Sequence, residues 1–132
     1  MNVLKWSDGY VTEIAYPKNF HQELSPARLC LTALIKGIKS PAIHKEFNYL
    51  ELGCGRGIST NIFAASNPKG NFFATDFNPS HIAGAQQLAQ EAELNNISFF
   101  EDSFADLKKR ELPMFDFICL HGLYSWISRE NQ

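Results

Sequence analysis

The stretch from Asn48 to Gly57 reads NYLELGCGRG, an apolar β-type run that ends in three glycines at alternate positions, Gly53, Gly55 and Gly57. Few patterns restrict a fold so tightly. Residues with a Cβ rarely take positive φ, so glycines at this density mark a turn where the backbone bends sharply or where another group comes close to it. A helical pattern resumes at once in ISTNIFAAS, Ile58 to Ser66, and stops at NPKG. Strand, glycine turn and helix in that order form the opening unit of a parallel α/β sheet.

The same alternation runs on toward the carboxyl end. NFFATD (Asn71 to Asp76) reads as a second strand, and Asn78-Pro79 then caps a long helix in which Ile82, Ala85, Ala89 and Ala92 recur at helical spacing. ISFFE (Ile97 to Glu101) makes a third strand, FADLKKREL a short helix, and FDFICL (Phe115 to Leu120) a fourth strand before the turn HGLYSWIS. Upstream, Ser25-Pro26 opens a helix that places Leu29, Ala33 and Leu34 on one face up to about Gly37. Met1 to Leu24 mixes turn residues with aromatics and reads as an irregular arm. Strands separated by helices pair in parallel, because parallel neighbours need a long crossover. The expected fold is α/β, a doubly wound Rossmann-like sheet over residues 47–132, preceded by an arm and capping helix over 1–46.

Composition excludes several classes of function. The chain has 132 residues, 45% hydrophobic and 20% charged, which suffices for one globular domain with its own core. A net charge of -2 offers no electrostatic footprint for nucleic acid or an anionic membrane. The basic run Lys108, Lys109 and Arg110 reads as a solvated helix end. Cys30, Cys54 and Cys119 are too widely spaced for a disulfide framework or a zinc pattern, which points to a reducing, cytoplasmic location. Neither a signal peptide nor a membrane span is expected.

In open parallel sheets the ligand sits at the carboxyl ends of the strands, against the first strand-to-helix turn. Gly53, Gly55 and Gly57 occupy that turn, so the expected ligand is a cofactor resting on the backbone. A dinucleotide is disfavoured, because the sixth position counted from Gly53 is Ile58 where that fingerprint needs glycine. No Gly-Lys-Ser/Thr follows, which removes the P-loop. Glu51 beside the turn would repel a diphosphate but suits an ammonium or sulfonium group. Asp76 closes the second strand, where a carboxylate can accept hydrogen bonds from both hydroxyls of a ribose.

These residues resemble the class I S-adenosylmethionine-dependent methyltransferases. YLELGCGRG is similar to their first motif, which also takes in Cys54, FFATDFNPSHI to the ribose-binding strand end, and FEDSF to the segment that frames the adenine. The resemblance implies that Asp102 hydrogen-bonds the exocyclic amine of adenine while Phe77 and Ser103 line the ring. It is closer to a bacterial subgroup in which an arm containing YP precedes the domain, a segment like HGLYSWIS follows the fourth strand, and a methyltransferase regulatory domain comes later. Some relatives there modify protein lysines. The family places the first strand centrally, which implies a truncated sheet in the order 3-2-1-4. It also implies that this chain is an amino-terminal part whose fourth strand is an edge open to self-association.

Methyl transfer from a sulfonium is an in-line displacement in which positioning supplies up to roughly 7 to 11 kcal/mol of the barrier. No metal is expected, since no His, Cys and Asp cluster shows ligand spacing. His121, at the end of the fourth strand, is the candidate to orient an acceptor or take its proton, whereas His21, His44 and His81 read as surface or loop residues. Tyr124 and Trp126 are candidates for the wall of an acceptor pocket, and the family adds Tyr16 as part of a lid. The missing Asp/Asn-Pro-Pro-aromatic stretch argues against DNA bases as acceptors, leaving a small molecule or a protein. Two other readings stay open: a non-catalytic S-adenosylmethionine-binding or interaction module, and a nicotinamide-dependent oxidoreductase half-domain in which Glu51 has no evident role.

Overall fold

The computed structural model describes residues 18–132. Its sheet has four strands, β1 (Phe47–Leu52), β2 (Gly70–Thr75), β3 (Ile97–Phe100) and β4 (Phe117–Leu120), all parallel and in the order β3-β2-β1-β4. The expected 3-2-1-4 arrangement is what forms. The helices are α1 (Pro26–Ile35), α2 (Ile58–Ser66), α3 (Pro79–Glu91) and the short α4 (Phe104–Leu107).

The helix starts follow from local chemistry. The hydroxyl of Ser25 and the side-chain carbonyl of Asn78 accept backbone N–H groups at the openings of α1 and α3, each with proline in the first turn. Helix α2 starts differently, because its N-cap is Gly57 in the left-handed conformation. Pairing brings Tyr49 opposite Phe72 and Phe117, so aromatic rings from three strands meet on one face. That face is covered by helices: Phe63 and Ala64 of α2 pack on Phe47, Tyr49, Phe72, Phe117 and Cys119, while Ile82, Ala85 and Ala89 of α3 pack with Ala74 and Phe99.

Leu24 and Cys30 belong to the same buried cluster, and the Tyr49 hydroxyl donates to the Leu24 carbonyl at 2.9 Å. The segment before β1 is thereby fastened onto the sheet. Helix α1 buries less than its pattern implied. Pro26 and Cys30 are inside, whereas Leu34 is 61% exposed, because the helix touches the sheet along a narrow stripe. Ala92 is exposed as well, since α3 ends at Glu91. On the opposite face of the sheet β4 presents Ile118 and Leu120 to solvent.

Candidate cofactor cleft

The carboxyl ends of β1 and β4, the start of α2 and the segment before α1 surround a cleft whose walls include His21, Glu51, Gly53, Cys54, Arg56, Ser59 and His121. It lies where the strand order reverses, between β1 and β4, the usual ligand position in such sheets. Gly53, Gly55 and Gly57 all have positive φ, of 68°, 55° and 67°. At two of them the protein's own packing also leaves little room for a side chain. A Cβ on Gly57 would stand 2.6 Å from the Ala85 Cβ and 2.8 Å from the Phe99 ring, and one on Gly53 would stand 2.8 Å from a methyl group of Leu123. The glycine pattern therefore reports the close approach of α3 and β3 to the turn.

Gly55 has another partner. Its amide donates to Asp76 Oδ2 at 2.9 Å, and Asp76 Oδ1 accepts the Asn78 amide at 2.9 Å and lies 3.2 Å from His81 Nδ1. Two strand ends are thus clasped by one carboxylate, whose Oδ2 keeps room for a further donor. His81 is a correction to the sequence reading: it is buried in the first turn of α3, in the wall behind Asp76.

Glu51 is buried, and its carboxylate accepts a hydrogen bond from the Thr60 hydroxyl on α2. Burial pushes its pKa up, and the nearby Asp76 charge adds to this, while the Thr60 bond and His21 pull it down. No Lys or Arg pairs with Glu51 among the described residues. Arg56 Nε is buried with no hydrogen-bond partner among the described residues. Burial also pushes up the Cys54 thiol, which stays protonated.

On the β3 side, Asp102 is gripped by the Arg110 fork, through Nε to Oδ2 and through Nη2 to Oδ1 at 3.0 Å, with the guanidinium 4.4 Å from the centre of the Phe100 ring. Ser103 caps α4, donating to Asp106 Oδ2 at 2.7 Å and accepting the Asp106 amide. Phe77 is half-buried just past the end of β2. Tyr124 and Trp126 are 62% and 49% exposed, so neither is a core residue. Tyr16 lies outside the described residues.

His121 does reach the cleft, and it brings company that spacing did not reveal. Its ring stacks on His21 with centroids 3.9 Å apart, and its Nε2 lies 3.2 Å from Glu23 Oε1. His21 is therefore no isolated surface residue; its amide is pinned by the Ser59 hydroxyl at 2.8 Å. The one signal in the sequence was the His-x-Glu spacing of residues 21 and 23, and nothing tied it to position 121. His44 remains exposed in a loop.

An open α/β sheet with a glycine turn, two carboxylates at the ends of β1 and β2, and the order 3-2-1-4 defines the class I methyltransferase architecture. Residues 43–130 match the family model described as a methyltransferase domain, and the chain belongs to that family. Similar proteins include the uncharacterized protein sll1526 of Synechocystis sp., 50% identical over 129 residues, which span 98% of this chain and 26% of that protein. Another is the uncharacterized protein RP028 of Rickettsia prowazekii, 28% identical over 120 residues, or 91% of this chain and 47% of that one. Among solved structures, PKMT2 from Rickettsia typhi in complex with AdoHcy is similar with a TM-score of 0.82 and 29% identity, over 89% of this chain and 22% of that one. This chain thus spans less than half the length of each of these proteins.

Proposed function

We propose that this chain binds S-adenosylmethionine at the carboxyl ends of β1 and β2 and is the cofactor-binding part of a methyltransferase, with a protein lysine as the acceptor to test first. The observation that carries the reading is the buried Glu51 carboxylate in the cleft wall, which lacks a cationic protein partner among the described residues. A buried carboxylate is costly unless something meets its charge, and a cationic ligand does so. The PKMT2 structure with AdoHcy supports the choice of ligand.

The cofactor supplies a methyl group on a sulfonium, activated without further chemistry from the protein. This chain's residues hold and orient. Glu51 meets the ligand ammonium, and the unpartnered Arg56 Nε suits the ligand carboxylate. Asp76, fixed by Gly55 and Asn78, accepts from a ribose hydroxyl with the remaining capacity of Oδ2. Asp102, oriented by Arg110, takes the adenine amine, with Phe77 and Ser103 beside the ring. The protonated Cys54 thiol is packing and not a nucleophile. His121 orients the acceptor from the β4 side, with Tyr124 and Trp126 exposed next to it on the same loop.

Calorimetric titration with AdoHcy and, separately, with NAD tests the reading. Saturable AdoHcy binding without NAD binding is expected. NAD binding alone would turn the assignment to an oxidoreductase half-domain. Cofactor binding with no transfer to any protein or small acceptor, in this chain or in a longer relative, would favour a non-catalytic module.

A further inference from the structure

We propose that His21, Glu23 and His121 form a binding site for a divalent transition-metal ion of the zinc class at the rim of the cofactor cleft. The three side chains come from two distant parts of the chain: the turn that precedes α1 and the residue that follows β4. They offer two imidazole nitrogens and one carboxylate oxygen, all within 4.8 Å of one another. His21 Nδ1 lies 3.3 Å and His121 Nε2 lies 3.2 Å from the same atom, Glu23 Oε1. Ligands about 2.0 to 2.2 Å from a tetrahedral zinc ion stand roughly 3.3 to 3.5 Å from each other, so two of the three edges already have ligand spacing. The third closes by a rotation of the 42% exposed His121 ring that exchanges its stacking on His21 for a shared ion.

The frame around the ligands is fixed on independent contacts. The His21 amide is held by Ser59 at the start of α2, and the Leu24 carbonyl next to Glu23 is held by the buried Tyr49 hydroxyl. His21 and His121 both also line the cleft, so an ion on this triad would stand at its rim, beside the space that the function proposed above gives to an acceptor. Three protein ligands with one open position is the pattern of zinc sites that bind a substrate atom, whereas purely structural sites are closed by four. Orientation of the acceptor by His121 would then run through the ion. Two imidazoles and a carboxylate favour zinc, cobalt or nickel over magnesium or calcium, which prefer oxygen ligands.

The test is titration of the untagged chain with cobalt(II), followed by visible absorption and by competition with zinc. One equivalent should give the ligand-field band of a four-coordinate nitrogen and oxygen site, abolished by zinc. His121→Ala and His21→Ala should each abolish the band. Glu23→Gln should weaken binding by more than the roughly 10- to 100-fold that loss of a ligand's hydrogen-bond partner costs. His44→Ala should leave it unchanged. Circular dichroism on each variant separates ligand loss from unfolding, and the exposed His121 is the safest position to change. A missing or unsaturable band, a band that survives in folded His121→Ala, or a thiolate charge-transfer band placing the ion on a cysteine would overturn the proposal. None of these readouts depends on binding of S-adenosylmethionine.

Discussion

The amide of Gly55 donates to the carboxylate of Asp76 across 2.9 Å, so the glycine turn after β1 is clasped to the end of β2 by a residue assigned to the ligand. Asp76 therefore has a structural duty besides the ribose contact proposed for it, and two substitutions separate them. Asp76→Ala removes both and should cost roughly 1 to 3 kcal/mol of ligand affinity together with a loss of stability. Asp76→Asn keeps an acceptor oxygen for the turn and should retain more of the stability while still losing affinity. Equal AdoHcy affinity in the wild type and both variants would remove Asp76 from the ribose.

Gly57 is the least replaceable glycine of the three. Gly57→Ala must accept left-handed strain of about 1 to 2 kcal/mol and a contact of 2.6 Å with the Ala85 Cβ, where overpacking adds about 1 to 3 kcal/mol. A clear drop in the urea midpoint is expected. At Gly53 the obstruction is the end of the Leu123 side chain, which can move, so Gly53→Ala should cost less. A reversed order in denaturant titration would show that α3 and β3 do not press on the turn.

Glu51 should make stability fall with rising pH. Its folded pKa is raised by burial, so the folded state holds a proton that the unfolded state has released. Its contribution turns unfavourable as pH climbs from the unfolded carboxyl range, about 4.3, toward the raised folded value. Glu51→Gln still accepts from Thr60 and should be more stable than wild type at neutral pH, with the gain shrinking in acid, yet bind AdoHcy more weakly. Chemical denaturation at several pH values checks the first part and calorimetry the second. A variant that is no more stable at neutral pH would mean that the carboxylate is well compensated within the protein.

Among the described residues β4 has no partner on its outer side, its strand carries neither Lys nor Pro, and its outer face exposes Ile118 at 63% and Leu120 at 48%. Apolar strands with open edges invite pairing. Concentration-dependent association of the isolated chain is expected in sedimentation velocity, and Ile118→Lys should reduce it. A wild type that stays monomeric across the accessible concentration range would show that the edge is adequately protected.

The fold was legible because it rests on local rules. Period-two apolar runs, proline and asparagine caps and the glycine turn each act within a few residues, and the extents of β1 and α2 follow from them without adjustment. The positions of Glu51 in β1 and of Asp76 just past β2 were legible for a related reason, since strand ends follow from the same local pattern. The strand order came from family resemblance, since local pattern alone does not order parallel strands.

The amino-acid sequence by itself determined the elements and their parallel pairing, because those depend on short-range sterics and periodicity. Only the tertiary structure decided which partners each side chain meets. It placed His81 in a buried position behind Asp76, closed Arg110 onto Asp102, and made Gly57 a seat for Ala85 and Phe99. It also stacked His21 on His121, a hundred positions apart in the chain, and set Glu23 between their nitrogens. Such contacts form where β4 is inserted beside β1 and the segment before α1 is fastened to Tyr49, and chain separation carries no record of that closure.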